Sequence, residues 1–171
     1  MTSSTTTGDG QHESPLPPDY DAQSALYNRL ADETTTRNKA TVFDALAKAG
    51  IVVVTISFDG CSDSGQIENV QANTQDEMVA LPSDQIEYER IRWGETEPTR
   101  SSCPLRDALE DLAFHYLSTA RDGWENGDGA YGEFTFDTTT RSITLAYNER
   151  LYRTLIAHHT KAQSLVREYR L

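Results

Sequence analysis

Basic side chains are absent from the middle of this chain. From Ala49 to Glu89 there is no Lys or Arg, while Asp59, Asp63, Glu68, Asp76, Glu77, Asp84, Glu87 and Glu89 all fall there. A second cation-free stretch holds Asp122, Glu125, Asp128, Glu133 and Asp137. The balance reverses from Arg141 onward, with six basic residues against Glu149 and Glu168, and the formal net charge is −12. Such a field repels phosphate over most of the surface. Direct nucleic-acid binding is therefore disfavoured, and a cation or a protein with a basic surface is the expected partner. Surplus carboxylates also keep a protein soluble, and that plainer role stands beside the first.

Cysteine is scarce as well. Cys61 and Cys103 are too few and too unpatterned for a disulfide framework or a zinc site, which points to a reducing, cytoplasmic setting. No apolar run approaches the ~18–20 residues that span a bilayer, so no membrane role is expected. The first residues lack the basic and apolar segments of a secretory signal.

The length of 171 residues suits one domain. Residues 1–19 read as a disordered Ser/Thr/Pro-rich tail, because Pro15, Pro17 and Pro18 interrupt any helix and little apolar surface offsets the ordering entropy. The domain proper is expected over 20–171. Ala22, Ala25, Leu26 and Leu30 fall at helical spacing, and Val42, Phe43, Leu46 and Ala49 repeat it. With Thr34–Thr36 as a cap and Gly50 as a stop, this predicts two helices. Ile51–Phe58 is β-rich and reads as a central strand, followed by a strand over 66–73, a loop over 74–84 and a strand over 85–93. Ser102 to Arg121 is the best helix, with Ser102 as cap and Leu105, Leu109, Leu112, Tyr116 and Ala120 as its stripe. Phe134 and Phe136 then alternate with Glu133, Thr135 and Asp137, and after Thr138–Thr140 the alternation resumes at Ile143, Leu145 and Tyr147, which is a hairpin. Leu151, Leu155, Ala162, Leu165, Val166 and Tyr169 fit a closing helix. The order predicts an α+β fold, an antiparallel sheet of about four or five strands with helices packed mainly on one face.

Two Gly- and Asp-rich loops carry the candidate chemistry. The first, F-D-G-C-S-D-S-G-Q-I-E at 58–68, contains an Asp-Ser-Gly triplet. A serine nucleophile needs a base oriented by a carboxylate. His12 lies in the tail, and His115, His158 and His159 sit on predicted helices, so no catalytic residue is assigned. A Cys61 thiolate is disfavoured beside Asp59 and Asp63. The second loop, D-G-W-E-N-G-D-G-A-Y-G-E at 122–133, fails the calcium-loop pattern because Trp124 stands where an oxygen ligand belongs. A hard cation needs only six to eight oxygens from flexible loops. Asp59, Asp63 and Glu68 could converge with Glu125, Asp128 and Glu133 on Ca²⁺ or Mg²⁺, with Asp59, Asp63, Glu125 and Asp128 as the metal ligands. The same residues with Trp124 and Asn126 equally describe a binding surface. The plain structural reading is two turns, with Asp and Asn capping backbone N–H groups and Trp124 filling the core edge. Sequence alone leaves these open.

The blocks FDGxxDSGxIE at 58–68 and GWENxxGAxGEF at 123–134, with I-T-L-A-Y-N-E-R at 143–150, resemble an uncharacterised family of small bacterial proteins carried on plasmids, integrative elements and phages. The resemblance spans roughly residues 40–155. It implies a mobile-element context, in which small acidic proteins act on host machinery by binding, and it carries no catalytic residue across. Two functions follow as expectations. One is an acidic accessory protein docking a basic surface of a host, defence or nucleic-acid-handling complex. The other is a divalent-metal-binding protein or metal-dependent hydrolase built on the two loops. The basic residues Arg150, Arg153, Lys161, Arg167 and Arg170 are expected to pair with the protein's own acidic surface or a second subunit.

Overall fold

The computed structural model describes residues 19–61, 64–121, 123–124 and 129–150, and the backbone of 165–170. One long helix, α1 (Tyr20–Lys48), is followed by β1 (Val53–Cys61), β2 (Ser64–Asn73), β3 (Met78–Val79), β4 (Gln85–Arg90), β5 (Thr99–Pro104), α2 (Leu105–Ala120), β6 (Ala130–Asp137), β7 (Ser142–Glu149) and β8 (Leu165–Arg170). The fold is α+β. Six strands in the order β3-β2-β1-β6-β7-β8 form an antiparallel sheet, and β4 and β5 form a separate ribbon.

Strict alternation makes one face of the large sheet apolar. Val54, Ile56 and Phe58 on β1, Phe134 and Phe136 on β6, and Ile143, Leu145 and Tyr147 on β7 are buried together with α1 and α2. An aromatic row joins the two helices across this face. Phe43 of α1 lies 6.3 Å from Phe136, Phe134 lies 5.8 Å from Phe58, and Phe58 meets Trp124 edge-on at 5.3 Å. Tilted and edge-on contacts of this kind add to the area the rings remove from water. Ser57, Thr55, Thr135 and Thr144 point the other way and stay half-exposed, so the helices cover a single face.

Several expectations needed correction. The two predicted N-terminal helices are one. Thr36 and Thr41 bond their hydroxyls back to the carbonyls of Asp32 and Arg37, and Thr34 is buried, so the threonines are satisfied within the helix instead of capping a new one. The stop at Gly50 is as expected: at φ 71° it lets Ile51 N bond Leu46 O and its own N bond Ala47 O. Ser102 is no cap, because it pairs with Glu87 in the β4–β5 ribbon; the strand runs to Pro104 and α2 starts at Leu105. The helix is rotated relative to the predicted stripe, so that Leu117 is buried and Tyr116 and Ala120 are half-buried. The 74–84 segment contains the short strand β3, and the 85–93 strand stops at Arg90. The closing helix is contradicted at its end: residues 165–170 form β8 along β7, where the free edge of that strand offers ladder hydrogen bonds. The remainder of that segment, and the tail over 1–18, lie outside the described residues.

Candidate functional site

The hairpin of β1 and β2 and the segment before β6 meet at one corner of the sheet, and glycine makes the meeting possible. Trp124 lies across Gly65, where any Cβ would overlap the indole, and it packs on Phe58 and Phe114. Gly129, at φ 76°, sits so close to the Gly60 carbonyl that a side chain there has no room. The two candidate loops are therefore neighbours in space, joined through backbone and an indole ring.

Arg150 closes the corner. Its guanidinium donates to both carboxylate oxygens of Asp59, at 2.9 and 2.5 Å, and to the Gly60 carbonyl at 2.8 Å. Its backbone N donates to Gly129 O at 3.0 Å, and its side chain lies over the Tyr131 ring at 5.0 Å. A bidentate guanidinium of this kind fixes geometry as well as charge. The expectation that Arg150 pairs with the protein's own acidic surface holds. Its partner is 91 residues away in sequence, which no local pattern discloses.

Of the residues singled out in the sequence, Asp59, Glu68, Trp124 and Glu133 can be placed. Asp59 stands in register with Gln66 on one side and Tyr131 on the other, and its oxygens are occupied by Arg150. Glu68 is the extra residue of a bulge opposite Ser57 and Phe58, and it accepts from the Gln66 amide at 2.5 Å. Glu133 is exposed on β6 between Ser57 and Ala146, diagonal to Asp59 on the same face. Trp124 fills the core edge, only 7% exposed. Asp63, Glu125, Asn126 and Asp128 lie outside the described residues. Among the described residues no three His, Cys, Asp or Glu side chains are grouped to hold a metal ion.

Sequence reasoning missed a second polar constellation, between α1 and the ribbon. The Asn38 side chain, which is buried, donates to Glu89 O at 2.8 Å and accepts from Glu89 N at 2.9 Å, acting as a neighbouring strand would. The Glu89 carboxylate is held by Arg37 and Arg100, each at 2.7 Å. Nearby, Thr35 Oγ1 and His115 Nε2 are 3.2 Å apart. Burial acts to raise the Glu89 carboxyl, and the two arginines outweigh it, leaving the group below its ordinary value of 4.5. Burial pushes His115 below its ordinary 6.5, against the Asp32 charge. Both groups bind protons less readily folded than unfolded, so their stabilising contributions are complete above the unfolded values and shrink as pH falls. The thermal midpoint is expected to drop in two acid steps, the first below pH 6.5 and the second below 4.5. His115→Gln should remove the first step and Glu89→Gln the second when melts are recorded across pH.

Among the described residues no helix is long and apolar enough to cross a membrane. No curated protein matches this chain, and no solved structure does. A family profile matches residues 34–161, a span that takes in the sheet corner, the ribbon and α2. The chain belongs to a family of unknown function, DUF6878.

Proposed function

We propose that this is an accessory protein that works by binding, docking the face of its sheet turned from α1 and α2 on a basic surface of a partner protein. One observation carries the reading: β1, β2, β3, β6 and β7 contain no Lys or Arg, which leaves β8 at the far edge as the basic strand of the sheet, and the face turned from the helices presents Glu133 and Asp137 among Ser, Thr and Asn side chains. The cation that approaches this corner, Arg150, is committed to Asp59 and Gly60. An open, polar, anionic face of this kind offers electrostatic complementarity to a basic surface and steers its approach. The resemblance to plasmid- and phage-borne proteins supports a host, defence or nucleic-acid-handling complex in the cytoplasm as the partner's setting.

Capture of the partner on immobilised protein is expected to weaken as salt rises from about 50 to about 300 mM, since the Debye length shortens over that range. Glu133→Lys with Asp137→Lys should cut capture at least tenfold at the lower salt, in the manner of rim-charge reversal. Capture indifferent to both salt and these reversals would sink the reading.

The divalent-metal reading is supported by one observation, the adjacency of the two loops through Trp124 and Gly65. It requires carboxylates beyond Asp59, whose oxygens Arg150 holds. A rise in thermal midpoint with millimolar Ca²⁺ or Mg²⁺, abolished by Asp63→Asn, would favour it.

A further inference from the structure

The first half of α1 is covered far less than the second. All its buried residues, Thr34, Asn38, Val42, Phe43 and Leu46, come from Thr34 onward, and the family match begins at residue 34. Residues 20–33 nevertheless continue the helix for about 20 Å. Tyr20, Leu26, Tyr27, Leu30 and Ala31 recur there at helical spacing and prolong the stripe that Thr34 and Asn38 carry into the domain. Within the domain that stripe is covered by β4 and α2. On the projecting half every one of these side chains is exposed or half-exposed.

One turn reaches this arm. Trp93 lies 5.4 Å from both Tyr20 and Tyr27, ring centre to ring centre, yet stays 47% exposed. The turn is fixed from within: Gly94 sits at φ 87°, Glu95 N bonds Arg92 O at 3.1 Å, and Arg92 N donates to the Glu95 carboxylate at 2.9 Å. A half-exposed Trp on a fixed turn between two tyrosines has the composition of an interface anchor. Beside it runs a groove of about 660 Å³ between the two helices and the end of β4, lined by Tyr27, Ala31, Thr35, Leu112 and His115.

Charge decides what fits. Residues 19–33 carry Asp19, Asp21, Asp32 and Glu33 against Arg29 alone; the turn and groove add Arg90 and Arg92, but Arg90 is paired with Asp111 and the Arg92 turn holds Glu95, so the surface stays acidic on balance. A second copy of the same face would bring like charges together, whereas a basic element would be drawn in. We infer that the projecting half of α1, with the Trp93 turn and the adjoining groove, docks an amphipathic helix of a partner protein whose polar face carries Lys or Arg. The apolar face of that helix continues the coverage that β4 and α2 provide further along α1, as in other helix-in-groove complexes. This surface lies on the helix side of the sheet and rests on observations separate from those behind the sheet-face reading.

The test follows tryptophan emission as the full chain is titrated with a synthetic Leu/Lys amphipathic helix and with a scrambled peptide of the same composition. Trp124 is buried, so the response reports Trp93. A saturable blue shift is expected, at least about tenfold weaker for the scrambled peptide. Leu26→Ser with Leu30→Ser should weaken binding by a similar factor while the thermal midpoint stays put, and Glu133→Lys should leave binding intact. Equal affinity for both peptides, or emission that does not move, overturns the inference. So does a dimer in sedimentation that Leu30→Ser dissociates, because the face would then be paired with itself. Binding lost with Glu133→Lys and kept with the two serines would also overturn it, while leaving the sheet-face reading in place.

Discussion

Trp124→Ala should cost about 3–5 kcal/mol, the range for truncating a large buried aromatic. Against a total stability of roughly 5–15 kcal/mol for a domain, that is a severe loss. The indole is 7% exposed and forms the end of the aromatic row, edge-on to Phe58 at 5.3 Å and 6.4 Å from Phe114 on α2. It is also what holds the segment before β6 against the β1–β2 hairpin, since its far ring edge lies on Gly65. Removing it leaves a cavity between two loops and a helix end. Trp124→Phe should recover a large part of the loss by refilling some of that volume. Gly65→Ala should be costly in the native chain, because its Cβ enters the space of the ring, and nearly harmless beside Trp124→Ala. Such strong non-additivity is the mark of direct contact. Denaturant melts of the two single variants and the double variant measure it, and additive losses would show that the indole does not occupy Gly65.

Asn38→Leu is expected to cost about 2–6 kcal/mol, since two buried backbone groups lose their partners at roughly 1–3 kcal/mol each. The substitution keeps the branching of the side chain and removes its hydrogen-bonding groups. Asn38 is 4% exposed, and its amide serves Glu89 in both directions, so that α1 behaves as the next strand along β4. Without it, N–H and C=O of Glu89 face an apolar side chain, and the edge of the ribbon is unsealed. The Glu89 side chain keeps Arg37 and Arg100, so the loss reports the backbone pairing and not the ion pairs. Urea unfolding of Asn38→Leu within about 0.5 kcal/mol of the native chain would contradict this, that being the usual scale of a neutral surface change.

The parts of the fold legible in the sequence are those where one local period governs. The β6–β7 hairpin is plain in the sequence because Phe134, Phe136, Ile143, Leu145 and Tyr147 alternate with polar residues on either side of the turn, and the structure buries all five. The stop at Gly50 follows from residue chemistry alone, and of the two readings open for Trp124 the structure gives the core edge. Sequence and structure part where a local signal competes with a distant one. Three consecutive threonines look like a cap, yet Thr34 is buried and Thr36 bonds backward along the helix. Ser102 before Pro104 looks like a helix start, but pairing with Glu87 keeps it extended. Leu165, Val166 and Tyr169 satisfy a helical spacing loosely, and the open edge of β7 draws that segment into the sheet.

The candidate site divides the same way. The acidity of the two loops and their glycine content could be read directly, and the structure brings the loops together. What could not be read is that Arg150 crosses the corner to hold Asp59. Nor could sequence disclose that Asn38 and Glu89 share a backbone pairing 51 residues apart. Both depend on tertiary placement, for which neither residue type nor spacing carries a signal.

Amide chemical-shift mapping of the isotope-labelled chain against its captured basic partner tests the central claim most directly. The sheet-face reading predicts the largest shifts at Thr55, Ser57, Glu133, Thr135 and Thr144, fading as salt is raised. Shifts confined to α2 and the β4–β5 ribbon, with those five residues unmoved, would contradict it.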